Sequence, residues 1–266
     1  MTTGPETEPK RGKRRHQRTL FDGVAQLYDA SRLGYPADIV EFIVATAGVG
    51  TGSTVLEVGC GTGQLTEGLA RFGFDLTAID IGPSMIAHAR RRLVGAAISL
   101  QVASFEDFAA ADDSFDLIVS GTAFHWVDPE VKFRKSARLL RPGGWLALVA
   151  TGEQYDEPFA EALLAMWVAR SDDGGAWAIQ RKLANTEIIA STGLFSPPIE
   201  MTDERRLVRP VSAVISVENT RATSLSWPDD VRRGFTEDLR QLLAGQAEVH
   251  LTQQTSLTMA AFAGAS

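Results

Sequence analysis

The chain has 266 residues, 44% of them hydrophobic, and a formal net charge of -7. That is enough apolar material for one full α/β core, and the acidic balance does not favour nucleic acid, whose phosphates need a basic face. The single cysteine, Cys60, excludes an intrachain disulfide framework and a cysteine-built metal cluster.

No apolar run has the length of a membrane span. The basic N-terminus has no apolar segment behind it, so no secretory signal is expected and the protein reads as cytoplasmic. Six of the 26 Lys and Arg fall in the first twenty residues, against two of the 33 Asp and Glu. Residues 1–18 therefore read as a disordered basic tail on a distinctly acidic body. Residues 19–266 read as one domain, expected to act as a monomer or homodimer.

In chain order, Leu20, Phe21, Val24, Leu27 and Tyr28 recur at helical spacing, and Pro36 opens a second helix with Ile39, Val40 and Ile43 on its apolar face. Strands are expected at 53–58, 74–80, 98–103, 115–120 and 145–150, with helices at 63–72, 83–93 and 130–140 between them. Arg141-Pro142-Gly143-Gly144 reads as a stop and turn. Strands alternating with helices at this pitch give a mostly parallel sheet with helices on both faces. In the second half, helices are expected at 157–171, 176–191, 211–221 and 229–244, a sixth strand at 204–209, and a closing, antiparallel strand at 255–262.

The first strand runs into Glu57-Val58-Gly59-Cys60-Gly61-Thr62-Gly63. A strand, a tight glycine turn and a helix N-terminus bring backbone N–H groups close to a ligand. The dinucleotide pattern needs a further glycine three residues after Gly61, and Gln64 stands there. Glu57 at the mouth of the turn would repel a pyrophosphate and attract an ammonium group. Asp80 ends the second strand at a distance that suits a carboxylate accepting ribose hydroxyls. A ribose, a cationic appendage and no pyrophosphate describe S-adenosylmethionine. Cys60 reads as a small side chain in a tight turn, with no base beside it.

On these residues the chain resembles the class I S-adenosylmethionine-dependent methyltransferases, specifically their small-molecule, type 11-like branch. The likeness is good over roughly residues 20–150 and loose beyond. It implies a Rossmann-like, seven-stranded, mostly parallel sheet with a reversed final strand and a helical lid insertion. It also implies that Gly59 and Gly61 surround the methionine moiety with Glu57 beneath, that Asp80 and Ile81 close on the ribose, and that Met85 packs near the adenine. Ser104 and Phe105 fall in the adenine-contacting loop, where the family more often has an acidic or polar residue and a small one. Tyr28, Arg32 and Tyr35 resemble the entry segment that folds over the cofactor. Tyr28 is expected near the methionine end, and Arg32 on its carboxylate or on an acidic acceptor.

Ser120 through Asp128 follow the fourth strand and should border the transferring methyl group. His125 is the candidate general base, because a neutral imidazole is well populated near neutral pH; a structural role beside Trp126 is the alternative. The segment 153–200, with Tyr155, Phe159, Met166, Trp167 and Trp177, is expected to form the acceptor lid, with Arg170, Arg181 and Lys182 available to a carboxylate. The expected function is in-line methyl transfer to a small, largely apolar metabolite, at O, N or C. The alternatives are a macromolecular methyltransferase whose tail finds tRNA or protein, and a protein of this fold that binds the cofactor without methylating. No metal and no membrane contact are expected.

Overall fold

A computed structural model describes residues 16–170 and 185–264. A helical turn at 16–20 and a 3-10 turn, Phe21–Val24, lead into α1 (Ala25–Ser31) and α2 (Ala37–Ala47). Then come β1 (Thr54–Val58), α3 (Gln64–Leu69), β2 (Asp75–Asp80), α4 (Pro83–Arg92), β3 (Ile98–Val102), β4 (Phe115–Gly121) and α5 (Lys132–Leu139). The second half runs β5 (Leu140–Tyr155), α6 (Phe159–Val168), α7 (Asn185–Thr192), β6 (Ile199–Pro210), α8 (Val211–Asn219), α9 (Ala222–Leu225), α10 (Asp229–Leu242) and β7 (Glu248–Ala261).

The seven strands form one sheet in the order β3-β2-β1-β4-β5-β7-β6. The first five strands pair in parallel, and β7 is antiparallel to both β5 and β6. Alternate residues of the central strands feed two cores. Leu56, Ile118 and Leu146 pack on one face with Phe124 and Phe133, while Val55, Leu117 and Ala147 pack on the other with Ile39 and Ile43. Burial on both faces explains why these strands read as near-continuous apolar runs.

Helix α5 stops at Leu139, as the Arg-Pro-Gly-Gly signal suggests, but no separate turn follows. Leu140 already pairs with Phe115, and Trp145 pairs with Leu117. Arg141 to Gly144 are thus a bulge inside one long strand. At its other end β5 continues to Tyr155, still paired with β7. This β5–β7–β6 extension rises past the carboxyl ends of the parallel strands and carries a third core, in which Tyr155, Phe159 and Trp167 meet Val214, Phe235 and Leu239.

Two expectations change here. Of the aromatic residues expected in an acceptor lid, Tyr155, Phe159 and Trp167 lie in that core: Trp167 is 5.0 Å from the Phe235 ring and Phe159 5.0 Å from Tyr155. Trp177, Arg181 and Lys182 lie outside the described residues. The stretch read as tail to residue 18 overlaps a helical turn that begins at 16. Among the described residues, no helix is long and apolar enough to cross a membrane, and no cluster of His, Cys, Asp and Glu has the makings of a metal site.

Candidate active site

The strand order reverses between β1 and β4, and at such a switch point the strand ends leave a crevice. A cavity of about 460 Å³ fills it, a size typical of small-molecule sites.

The floor is the glycine turn. Gly59 has φ +73° and Gly61 φ +55°, a region open to glycine and strained for other residues. A Cβ on Gly59 would stand 2.3 Å from the Ala123 Cβ, so the turn and the loop after β4 touch through a missing side chain. The Asp80 carboxylate accepts the Gly61 amide at 3.0 Å and the Gly82 amide at 2.8 Å. Burial nevertheless raises its pKa, against the pull of those two amides. Each oxygen keeps acceptor capacity for a hydroxyl group.

Glu57 lies under this floor at 1% exposure, not at its mouth. Burial, reinforced by the nearby Asp80 charge, raises its pKa to about 8. It is therefore largely a neutral acid near pH 7, and its Oε2 has no hydrogen-bond partner. The Cys60 thiol is buried, and burial, with Glu57 and Asp80 nearby, pushes its pKa up; it is no nucleophile.

The N-terminal segment forms a second wall. Phe21 stands edge-on to both Tyr28 and Trp126, at 5.9 Å in each case. Asp22 reaches across to α4, accepting the Ser84 and Met85 amides at 2.6 and 3.2 Å and so capping a helix whose own N-cap is Gly82. Arg18 pairs with Glu106 at 2.8 Å. The Arg32 guanidinium lies 5.0 Å from the Tyr28 ring centre and donates to the Thr220 carbonyl at 3.0 Å, while its buried Nε has no acceptor. The third wall is Arg221, Ala222 and Thr223, at the start of α9.

Of the residues singled out from sequence, Tyr28, Arg32, Gly59, Gly61, Asp80, Ile81, Met85, Phe105 and His125 line this one cavity. Three do not. Ser104 is turned to Asp107, exchanging hydrogen bonds at 2.7 and 3.1 Å as a local turn cap. Ser120 is buried and donates to the Val58 carbonyl at 2.7 Å, tying β4 to β1. Glu57 is covered as described. Phe105 combines both readings, since it lines the cavity and packs 6.2 Å from Phe124 in the core. Tyr35 bonds Thr122 at 3.2 Å and faces a small side cavity beside Arg32. His125 sits in the 3-10 turn Phe124–Trp126, its ring 4.7 Å from that of Trp126.

Sequence reasoning missed Arg18, Asp22 and Arg221. The first was counted with the tail, and the others act over long sequence separations that leave no local signal.

The residues fit S-adenosylmethionine on three observations: an unpartnered buried carboxyl oxygen under the turn, a cradle that a Cβ on Gly59 would obstruct, and an arginine Nε without an acceptor.

Comparison with known proteins agrees. The model of the methyltransferase domain family matches residues 56–148. An uncharacterized methyltransferase of Mycobacterium tuberculosis is 35% identical over 136 residues, which cover 51% of this chain and 54% of that one. A ubiquinone biosynthesis O-methyltransferase of Xanthomonas oryzae is 40% identical over 124 residues, covering 45% and 52%. The chain thus spans about half the length of these curated relatives. Among solved structures, a protein described as a type II methyltransferase from Anaeromyxobacter dehalogenans superposes with a TM-score of 0.57 at 23% identity, over 86% of this chain and 97% of that one. The YcgJ protein of Bacillus subtilis gives 0.54 at 15% identity, over 86% and 99%, a likeness of fold. Sheet order, glycine turn and matched segment agree: the chain carries a methyltransferase domain, matched over residues 56–148.

Proposed function

We propose that this protein transfers the methyl group of S-adenosylmethionine to a small, largely apolar organic acceptor. The observation that carries the reading is the glycine turn held by Asp80, with the unpartnered Glu57 oxygen beneath it. When bound, the cofactor supplies a methyl group made electrophilic by its sulfonium. Asp80 would take the ribose hydroxyls, Arg32 the methionine carboxylate, and Met85 and Phe105 the adenine.

The rest of the cavity serves the acceptor. Phe21, Trp126 and Val127 give it an apolar lining. In-line transfer depends on holding the acceptor atom close and keeping water away, which such walls favour. His125, on the loop after β4, would take the proton from an O–H, N–H or acidic C–H acceptor.

Relatives support the small-molecule reading. The Xanthomonas protein is a ubiquinone biosynthesis O-methyltransferase by name, and a Haemonchus contortus protein of similar fold (TM-score 0.53) is a phosphoethanolamine N-methyltransferase. The alternative of a macromolecular target rests on the basic tail alone. The test is methyl-labelled cofactor with cell extract divided into small-molecule, RNA and protein fractions, using the full chain and a form lacking residues 1–15. Label in small molecules with both forms supports the proposal. Label confined to RNA or protein, and lost with the tail, overturns it.

A further inference from the structure

Arg221 stands out because two of its nitrogens are held and a third is not. Its Nε and Nη2 both donate to Glu218, each at 2.7 Å. Glu218 is 0% exposed and also lies within reach of the Trp167 indole N–H, at 3.2 Å, and the Tyr155 hydroxyl, at 3.1 Å. A wholly buried carboxylate is costly unless its oxygens are satisfied, and here up to four donors converge on it. The effect is to fix the plane of one guanidinium.

That guanidinium is not itself hidden. The Arg221 side chain keeps 33% exposure and lines both the main cavity and the small one beside it. Glu218 occupies the edge made by Nε and Nη2. The other edge, Nη1 with the second proton of Nη2, makes no hydrogen bond to the described residues, and Arg221 is a lining residue of the cavity. A guanidinium edge of this kind matches a carboxylate in a two-bond fork.

The charge balance points the same way. Arg32 lines the same two cavities and bonds Thr220, the residue before Arg221, yet it has no carboxylate partner among the described residues. With Glu218 on Arg221, and Glu153 of the small cavity paired to Arg209 at 2.6 Å, Arg32 leaves this corner with one positive charge uncompensated.

We propose that Arg221, held by Glu218, recognises a carboxylate on the methyl acceptor, so that the acceptor is a small organic acid with an apolar body. The inference rests on the methyltransferase reading above. A carboxylate also exists on the cofactor, at its methionine end, and that one is assigned to Arg32. Arg221 is thus a specificity-determining residue, placed at the start of α9.

The test uses the full chain saturated with S-adenosylhomocysteine, titrated with butanoate, octanoate and phenylacetate and with the corresponding primary amides. The expected result is that at least one carboxylate binds about tenfold more tightly than its amide, the effect of one charge-assisted hydrogen-bond pair. In Arg221→Gln that preference disappears while S-adenosylhomocysteine affinity stays within about threefold. Because Arg221→Gln leaves Glu218 short of partners, E218Q/R221Q serves as a second variant without a buried unpaired charge. Arg221→Lys keeps the charge, loses the fork and should retain only part of the preference. Three results overturn the proposal: no carboxylate preferred over its amide, a preference that survives in both Arg221→Gln and E218Q/R221Q, or an Arg221→Gln loss of S-adenosylhomocysteine affinity as large as that of Arg32→Gln, which would assign Arg221 to the cofactor. Failure of the wild-type chain to bind S-adenosylhomocysteine at all is a different outcome. It removes the methyltransferase reading, and this proposal with it.

Discussion

The Asp80 carboxylate accepts the Gly61 amide proton across 3.0 Å, joining the end of β2 to the glycine turn that follows β1. One side chain thereby shapes the turn and presents an acceptor to the cavity. Asp80→Ala should weaken S-adenosylhomocysteine by more than tenfold, since it removes charged hydrogen bonds of about 1.5–3 kcal/mol each. Asp80→Asn should fall between, because it keeps one carbonyl oxygen and turns an N–H toward an amide donor. Calorimetry of the three proteins gives the order.

Glu57 makes folding and binding depend on pH. Its folded pKa of about 8 lies above the ordinary carboxyl value of 4.5. The folded state holds this proton more tightly than the unfolded state, so the contribution is fully present below pH 4.5 and is lost as pH rises to about 8. The cofactor-free Glu57→Gln protein should therefore gain in Tm over wild type as pH rises through that window, with the difference vanishing at its acid end. Binding a cationic ligand should expel the Glu57 proton. Calorimetry near pH 7 in buffers of different ionisation enthalpy should show about half a proton or more released on S-adenosylmethionine binding, and none in Glu57→Gln.

His125 lines the cavity, and the base role proposed for it predicts that its removal separates chemistry from binding. His125→Ala should keep S-adenosylhomocysteine affinity within about threefold and lower kcat by about 10² for an acceptor that must lose a proton. The loss should shrink for an acceptor whose reacting atom carries no proton. Rapid-quench measurement of the methyl-transfer step reads both.

The wall that carries Arg32 is anchored by a buried ion pair. Arg209 and Glu153, at 7% and 9% side-chain exposure, meet at 2.6 Å, and Arg209 also donates to the Ser31 carbonyl at the end of α1. Arg209→Met leaves Glu153 buried without its charge partner and should cost about 3–5 kcal/mol in urea denaturation. Adding Glu153→Leu should recover most of that loss.

The parallel half of the fold was legible because its physics is local. Strands 54–58 and 115–121 are buried on both faces, so their sequences are continuous apolar runs, and the Glu57 to Gly63 turn carries its ligand class in its own spacing. The β5–β7–β6 extension was not legible beyond its core-facing ends. Its inner positions include Glu153, Arg209 and Gln253, polar residues buried through pairing, which look like surface in a sequence. Tyr155 and Trp167 resembled a substrate lid because a third core cannot be told from a pocket wall by composition. Asp22 and Arg221 matter through contacts with Ser84 and with the side of a cavity assembled from four segments, and nothing in their neighbours announces that.

The glycine turn with Asp80 is proposed to hold a sulfonium nucleoside. Isothermal titration of the wild-type chain with S-adenosylmethionine and S-adenosylhomocysteine tests it most directly. One site for each is expected, and no measurable binding of NAD, whose pyrophosphate the turn lacks the third glycine to approach. Binding of NAD in preference to both, or no heat from either, would contradict it.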